Sequence, residues 1–154
     1  MMAKYTVRNS IVDAGGRLDE AEAATASEIR QVEDDQGCPL PASYREFLSL
    51  CGRGFKGHSV LASEDIFYPD MLGLKEELQR ELSSGDINDP VRTGEYVVFM
   101  AHQGYIFYML RSDEIDCSVF GYSIEEPERG MVKCAASLAD FMLEQFRDDR
   151  SFSN

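Results

Sequence analysis

Two histidines, His58 and His102, and four cysteines, Cys38, Cys51, Cys117 and Cys134, are the side chains of this sequence best suited to nucleophilic, proton-transfer or metal chemistry near neutral pH. The cysteines lie 13, 66 and 17 positions apart and form no Cys-x-x-Cys pair, so together with two histidines they lack the spacing of a zinc or redox site. Reduced, buried thiols are expected. His102 is expected at an exposed hairpin tip and His58 on a glycine-rich approach to a strand, with no nucleophile signature near either. Gly52-Arg53-Gly54-Phe55-Lys56-Gly57 follows a helical pattern instead of a strand, so it reads as a helix stop and turn, not as a loop that cradles phosphate. No catalytic, cofactor-binding or metal-binding residue is assigned. The expectation is a protein that is not an enzyme.

Carboxylates dominate the remaining chemistry. The 154 residues carry 28 Asp and Glu against 15 Lys and Arg, a formal net charge of −13. Such a chain lacks the basic clusters that phosphate recognition needs, which argues against nucleic acid and against an anionic membrane surface. A basic protein is the electrostatically matched partner. Residues that work at such an interface are expected on loops held by a rigid sheet. The candidates are Glu64, Asp65, Asp113, Asp116, Glu125, Glu126 and Glu128, with Tyr68 and Tyr122 as exposed aromatic anchors. The start, MMAKYTVRNS, lacks the apolar core of a secretory signal, and no run approaches the roughly 20 apolar residues of a membrane span, so a cytoplasmic location is expected.

The elements that must position these residues follow from periodicity. Residues 1–18 are loosely patterned and read as a short strand or arm around Lys4–Arg8, then a turn at Gly15-Gly16. Asp19 and the pair Thr25/Glu28 are candidate N-terminal caps for a helix whose inner face is Ile29 and Val32 and which Gly37 ends. Tyr44, Phe47, Leu48 and Cys51 recur at i, i+3, i+4 and i+7 and define a second helix, started near Pro41 and stopped by a left-handed Gly52, with Glu46 outside the stripe. One broken strand or two short ones are expected within 57–68, and a third helix from Asp70 to about Ser83 with Met71, Leu74, Leu78 and Leu82 inward.

A surface loop over 83–95 then leads into two continuous apolar runs, Tyr96–Ala101 and Tyr105–Leu110, joined through Gly104. They predict a hairpin that sits centrally in the sheet with both faces covered. Strands over Ser118–Tyr122 and Met131–Lys133 follow, and a closing helix opens at Ser137 with Asp140 as its capping partner and Leu138, Phe141, Met142 and Phe146 inward. The fold class is α+β: a single domain over 1–154, with an antiparallel sheet whose central hairpin spans about 96–110, packed by N-terminal, middle and C-terminal helices.

In order along the chain, Ile29-x-x-Val32-Glu33, Gly37, Leu40-Pro41, Ser43-Tyr44-Arg45-Glu46-Phe47-Leu48 and Gly52-x-Gly54 resemble the N-terminal signature of the SUKH superfamily, the Smi/Knr-like domains. Gly104, Asp116-x-x-Val119-Phe120-x-Tyr122 and Ser137-Leu138-x-Asp140-Phe141-Met142 resemble its later strands and closing helix, so the likeness covers about residues 25–147. The usual Asn-Gly-Gly after the second helix is here Cys51-Gly52-Arg53-Gly54, and the chain has no Trp. The resemblance implies an α+β fold without enzymatic activity or cofactor. In bacteria it implies an immunity protein that binds and neutralises a polymorphic toxin, such as a basic nuclease domain. The alternative it implies is a regulatory or scaffold domain of the Smi/Knr type that binds an endogenous protein, as fungal relatives regulate cell-wall synthesis and signalling. An uncharacterised enzyme ranks third.

Overall fold

Tyr44, Phe47, Leu48 and Cys51, the stripe of one helix, are all fully buried at the centre of the computed structural model. That model describes residues 5–82, 96–111 and 118–149. Tyr44 stacks on Phe47, and from these two rings a continuous aromatic circuit runs through the core. One arm passes from Phe47 through Phe67 and Phe55 to Phe146, and the other from Tyr44 through Phe99 to Phe141 and Tyr108, with neighbouring centroids 5.2–6.5 Å apart. Phe141 and Phe146 lie on the same C-terminal helix, so the circuit closes. Edge-to-face and offset contacts of this kind add about 0.5–1.5 kcal/mol per pair beyond simple burial.

The helices are α1 (Val7–Asp13), α2 (Ala26–Gln36), α3 (Ala42–Cys51), α4 (Leu74–Leu82) and α5 (Leu138–Asp149). Strands β1 (Ala21–Glu22) and β2 (Gly54–Phe55) form a small antiparallel pair. Strands β3 (Glu64–Asp65), β4 (Tyr96–His102), β5 (Ile106–Arg111), β6 (Val119–Ser123) and β7 (Val132–Ala135) form an antiparallel meander in sequence order. The architecture is α+β, as the pattern of elements requires. No helix among the described residues is long and apolar enough to cross a membrane.

The hairpin forms as its sequence predicts. Gln103 and Gly104 both take positive φ, 51° and 77°, which matches the turn to the twist of the strands. β4 is buried along nearly its whole length, whereas β5 alternates, with Ile106 and Tyr108 only half-buried. The expectation that both faces of both strands are covered therefore fails for β5, whose Ile106 and Tyr108 face stays partly open near the hairpin.

Local signals set most helix ends. Thr25 Oγ1 accepts from the Glu28 N–H at 3.1 Å while Glu28 Oε1 accepts from the Thr25 N–H at 2.9 Å, a complete capping box, and Gly37 ends α2 in the left-handed conformation with φ 71°. Ser137 Oγ accepts from the Asp140 N–H at the start of α5. Leu138, Phe141, Met142 and Phe146 all point inward.

Further expectations need correction. The segment expected to be a strand or loose arm holds a helix: Thr6 caps α1, Val7, Ser10 and Ile11 are buried, and α1 packs on α5 and α3. A helix of seven residues is too short to show periodicity, and its stability comes from that packing. Asp19 caps nothing in α2 but sits in a 3₁₀ turn, Leu18–Glu20, and pairs with Arg17. Asp70 lies in a turn ahead of α4, and the carboxylate of Asp35 accepts from the Gly73 N–H instead.

Gly52 ends α3 with φ −56°, so its glycine is required by space and not by handedness: a Cβ there would sit 2.7 Å from Leu48 O and 2.8 Å from Ala24 Cβ. Within 57–68 only Glu64 and Asp65 form a strand, while Val60 and Leu61 are buried within turns. The expected loop over 83–95 lies outside the described residues.

Candidate functional site

The register of the sheet brings distant candidates to one edge of the molecule. Reading across strands, Glu64 opposes His102, His102 opposes Ile106, and Ile106 opposes Ser123. The next row is Asp65, Ala101, Phe107 and Tyr122. Glu64, Asp65 and Tyr122 therefore share one end of the sheet, and Glu125, Glu126 and Glu128 follow directly from the end of β6. Asp113 and Asp116 lie outside the described residues.

A cleft of about 340 Å³ opens at this end, across β5, β6 and β7. Tyr105, Tyr108, Glu125 and Glu126 line it, with Val132 and Cys134 along β7. Tyr122 borders it too, but it is opposite the buried Phe107 and only half-exposed, so its ring belongs to the other face of the sheet and it is not the exposed anchor expected. Gly121 keeps it open, because a Cβ there would meet Cys134 Sγ at 3.1 Å and the Tyr108 ring at 3.4 Å. Burial, with the nearby Cys134 and Glu64, holds the Tyr108 hydroxyl above its ordinary pKa, so it is present as a neutral donor.

The acidic rim is braced. The Ile124 N–H donates to Tyr105 O at 2.9 Å, the Glu126 N–H to Ser123 O at 3.2 Å, and the Glu125 N–H to Ser123 Oγ at 3.2 Å. Pro127–Arg129 then forms a 3₁₀ turn closed by Gly130, whose φ of 62° favours glycine. Arg129 pairs with Glu126 at 3.1 Å, and both are well exposed. Glu125, Glu126 and Glu128 thus stand on a fixed backbone, facing solvent.

Two candidates have other roles. Glu64 is not a free loop carboxylate: its side chain is only 11% exposed and Oε1 lies 2.6 Å from His102 Nδ1. His102 correspondingly is no exposed tip residue but ties β4 to β3 and packs edge-on against Tyr105. Tyr68 is half-buried and committed within the fold, its ring beneath Arg53 at 5.0 Å and its hydroxyl donating to Gln31 Oε1. His58 bonds Glu20 Oε2 at 2.5 Å through Nε2, so both histidines are held by carboxylates.

Tyr105, Tyr108 and Val132 were not singled out from sequence. Tyr108 is embedded in an apolar run, and only the register, which sets it opposite Gly121, reveals that it faces a gap. Among the described residues no group of three His, Cys, Asp or Glu could hold a metal ion. The described cysteines, Cys38, Cys51 and Cys134, are free thiols, although Cys134 is exposed and not buried as expected. The arrangement offers aromatic faces, a neutral phenol donor and braced negative charge, which suit recognition of a cationic group.

A family model described as the SMI1 / KNR4 family (SUKH-1) matches residues 23–144. No curated protein matches the chain.

Proposed function

The chain belongs to the SMI1/KNR4 family (SUKH-1), and from that premise we propose that it is a non-catalytic protein-binding domain, an immunity protein that captures a basic toxin domain in the cytoplasm. The observation that carries this reading is the tyrosine-lined cleft with Glu125 and Glu126 on its braced rim. Aromatic side chains fixed by a sheet give contact area at little cost in conformational entropy, and they form the centre of an interface. Carboxylates at the rim of a chain with net charge −13 steer a cationic partner into place and speed association more than they slow release.

The test is to purify the products of the genes beside this one and titrate each against the domain by calorimetry. A partner should bind, with an association rate that falls steeply as salt is raised. Absence of binding to every neighbouring product overturns the immunity role. Binding whose rate is indifferent to salt moves the interface away from the acidic rim.

A further inference from the structure

The five-stranded sheet has two edges, and they differ. On the β3 side, β3 itself covers Ala101 and His102, and farther along β4 the side chain of Gln36 occupies both backbone groups of Val98. α4 packs over the same strand. On the other side β7 pairs with β6 alone among the described residues, and Val132, Lys133 and Cys134 are exposed. Val132, at 40% exposure, is one of two large apolar side chains left well exposed among the described residues. An open edge presents a row of backbone donors and acceptors that another strand can take up.

That edge borders the cleft. Val132 and Cys134 form its β7 wall, and Glu125 and Glu126 stand at its rim. Lys133, opposite Phe120, belongs to the other face of the sheet, so its charge is not directed into the cleft. We infer that the free edge of β7 accepts an extended Lys- or Arg-bearing segment of the partner as a sixth strand, with one basic side chain reaching over β7 into the tyrosine-lined cleft. This rests on the reading of the chain as a binding domain for a basic protein.

The added strand would lie about 4.8 Å from β7, and its alternate residues would point to the cleft face. Main-chain hydrogen bonds then supply affinity, and the cleft selects the side chain. A cation there meets the ring of Tyr108 and the carboxylate of Glu125. A second copy of this chain is the disfavoured occupant, because pairing β7 with β7 would bring two acidic rims together on molecules of net charge −13 each.

The probe is an acetylated and amidated heptapeptide alternating Thr and Arg, compared with the same peptide N-methylated at alternate residues and with an Asp-for-Arg version. Binding is followed by calorimetry and by amide exchange. The amides of Val132–Ala135 should gain protection, N-methylation should weaken binding about tenfold by removing ladder hydrogen bonds, and the Asp version should not bind. Substituting Glu125→Gln with Glu126→Gln should weaken binding and flatten its salt dependence.

Equal binding of the N-methylated peptide, protection confined to other strands, no binding of the parent peptide, or self-association through β7 would each overturn the inference. The same exchange measurement on a bound neighbouring toxin separates the two readings. A toxin that binds without protecting β7 overturns strand addition and leaves the immunity role standing.

Discussion

Gln36 and Val98 form a two-point amide pair in the interior: Gln36 Nε2 donates to Val98 O at 2.7 Å and the Val98 N–H donates to Gln36 Oε1 at 3.0 Å. A side chain at the end of α2 therefore does for β4 what a neighbouring strand would do. Gln36 is 2% exposed, and its own carbonyl accepts from Lys75 Nζ at 2.7 Å, which recruits a buried lysine of α4 to the same corner. One residue fastens α2, β4 and α4 together, and it closes the sheet edge that β3 is too short to cover.

Replacing Gln36→Leu should destabilise the domain by about 2–5 kcal/mol, because it leaves the Val98 N–H and C=O without partners in the interior and each such loss costs about 1–3 kcal/mol. Gln36→Glu keeps the shape but loses a donor and places a carboxylate beside a carbonyl, so it should be no milder. Urea unfolding of the three proteins measures this. A loss under about 1 kcal/mol for Gln36→Leu would mean that water or a backbone shift satisfies Val98.

Phe47→Ala should cost about 3–5 kcal/mol, since Phe47 is fully buried and is the junction from which the aromatic circuit turns toward Phe67. Glu46 falls outside the apolar stripe and reads from sequence as a silent position, yet Glu46 Oε1 accepts from the Val7 N–H at 3.2 Å at the first turn of α1. Glu46→Ala should therefore cost about 0.5–1.5 kcal/mol, and amide exchange should show the loss concentrated in α1.

What the sequence made legible and what it hid have the same origin. The stripe of α3, the capping box of α2, the hairpin through Gly104 and the inward face of α5 are encoded by neighbours within a few positions, where periodicity and capping chemistry act directly. α1 was hidden because two buried apolar residues, Val7 and Ile11, make no pattern until α5 covers them. At the candidate site, Glu125, Glu126 and Tyr122 were readable as loop and strand-end residues. Glu64 was misread as a free carboxylate because its partner His102 is 38 positions away and meets it only through the β3–β4 register. The cleft itself depends on Gly121 facing Tyr108 across two strands, a relationship that no local window contains.

Glu28 gives a pH signature. The Arg53 guanidinium, and then the Thr25 backbone N–H, hold its carboxyl down from an ordinary 4.5 to about 2. Because the folded value is depressed, the contribution is fully present above about pH 4.5 and is lost as pH falls from there toward 2. A carboxyl-carbon NMR titration should place the Glu28 midpoint well below those of other glutamates. In Arg53→Ala the midpoint should rise toward the ordinary range, and a midpoint that stays put would assign the depression to the capping box alone.

Two kinds of glutamate at one end of the sheet should separate experimentally. Glu64 is largely buried and bonded to His102, so Glu64→Ala should cost about 1–2 kcal/mol of stability and leave the rate of partner capture unchanged. Glu125, Glu126 and Glu128 are exposed on the braced turn, and reversing all three to Lys should change stability by no more than about 0.5 kcal/mol, since the Glu126–Arg129 pair it breaks is solvent-facing. The triple reversal should instead slow association with a basic toxin by about tenfold or more at low salt, with the difference fading as the Debye length shortens. Urea unfolding and stopped-flow association on the same two variants read both axes. If Glu64→Ala slows capture while the triple reversal does not, the partner docks on the β3 side of the sheet and not on the acidic rim.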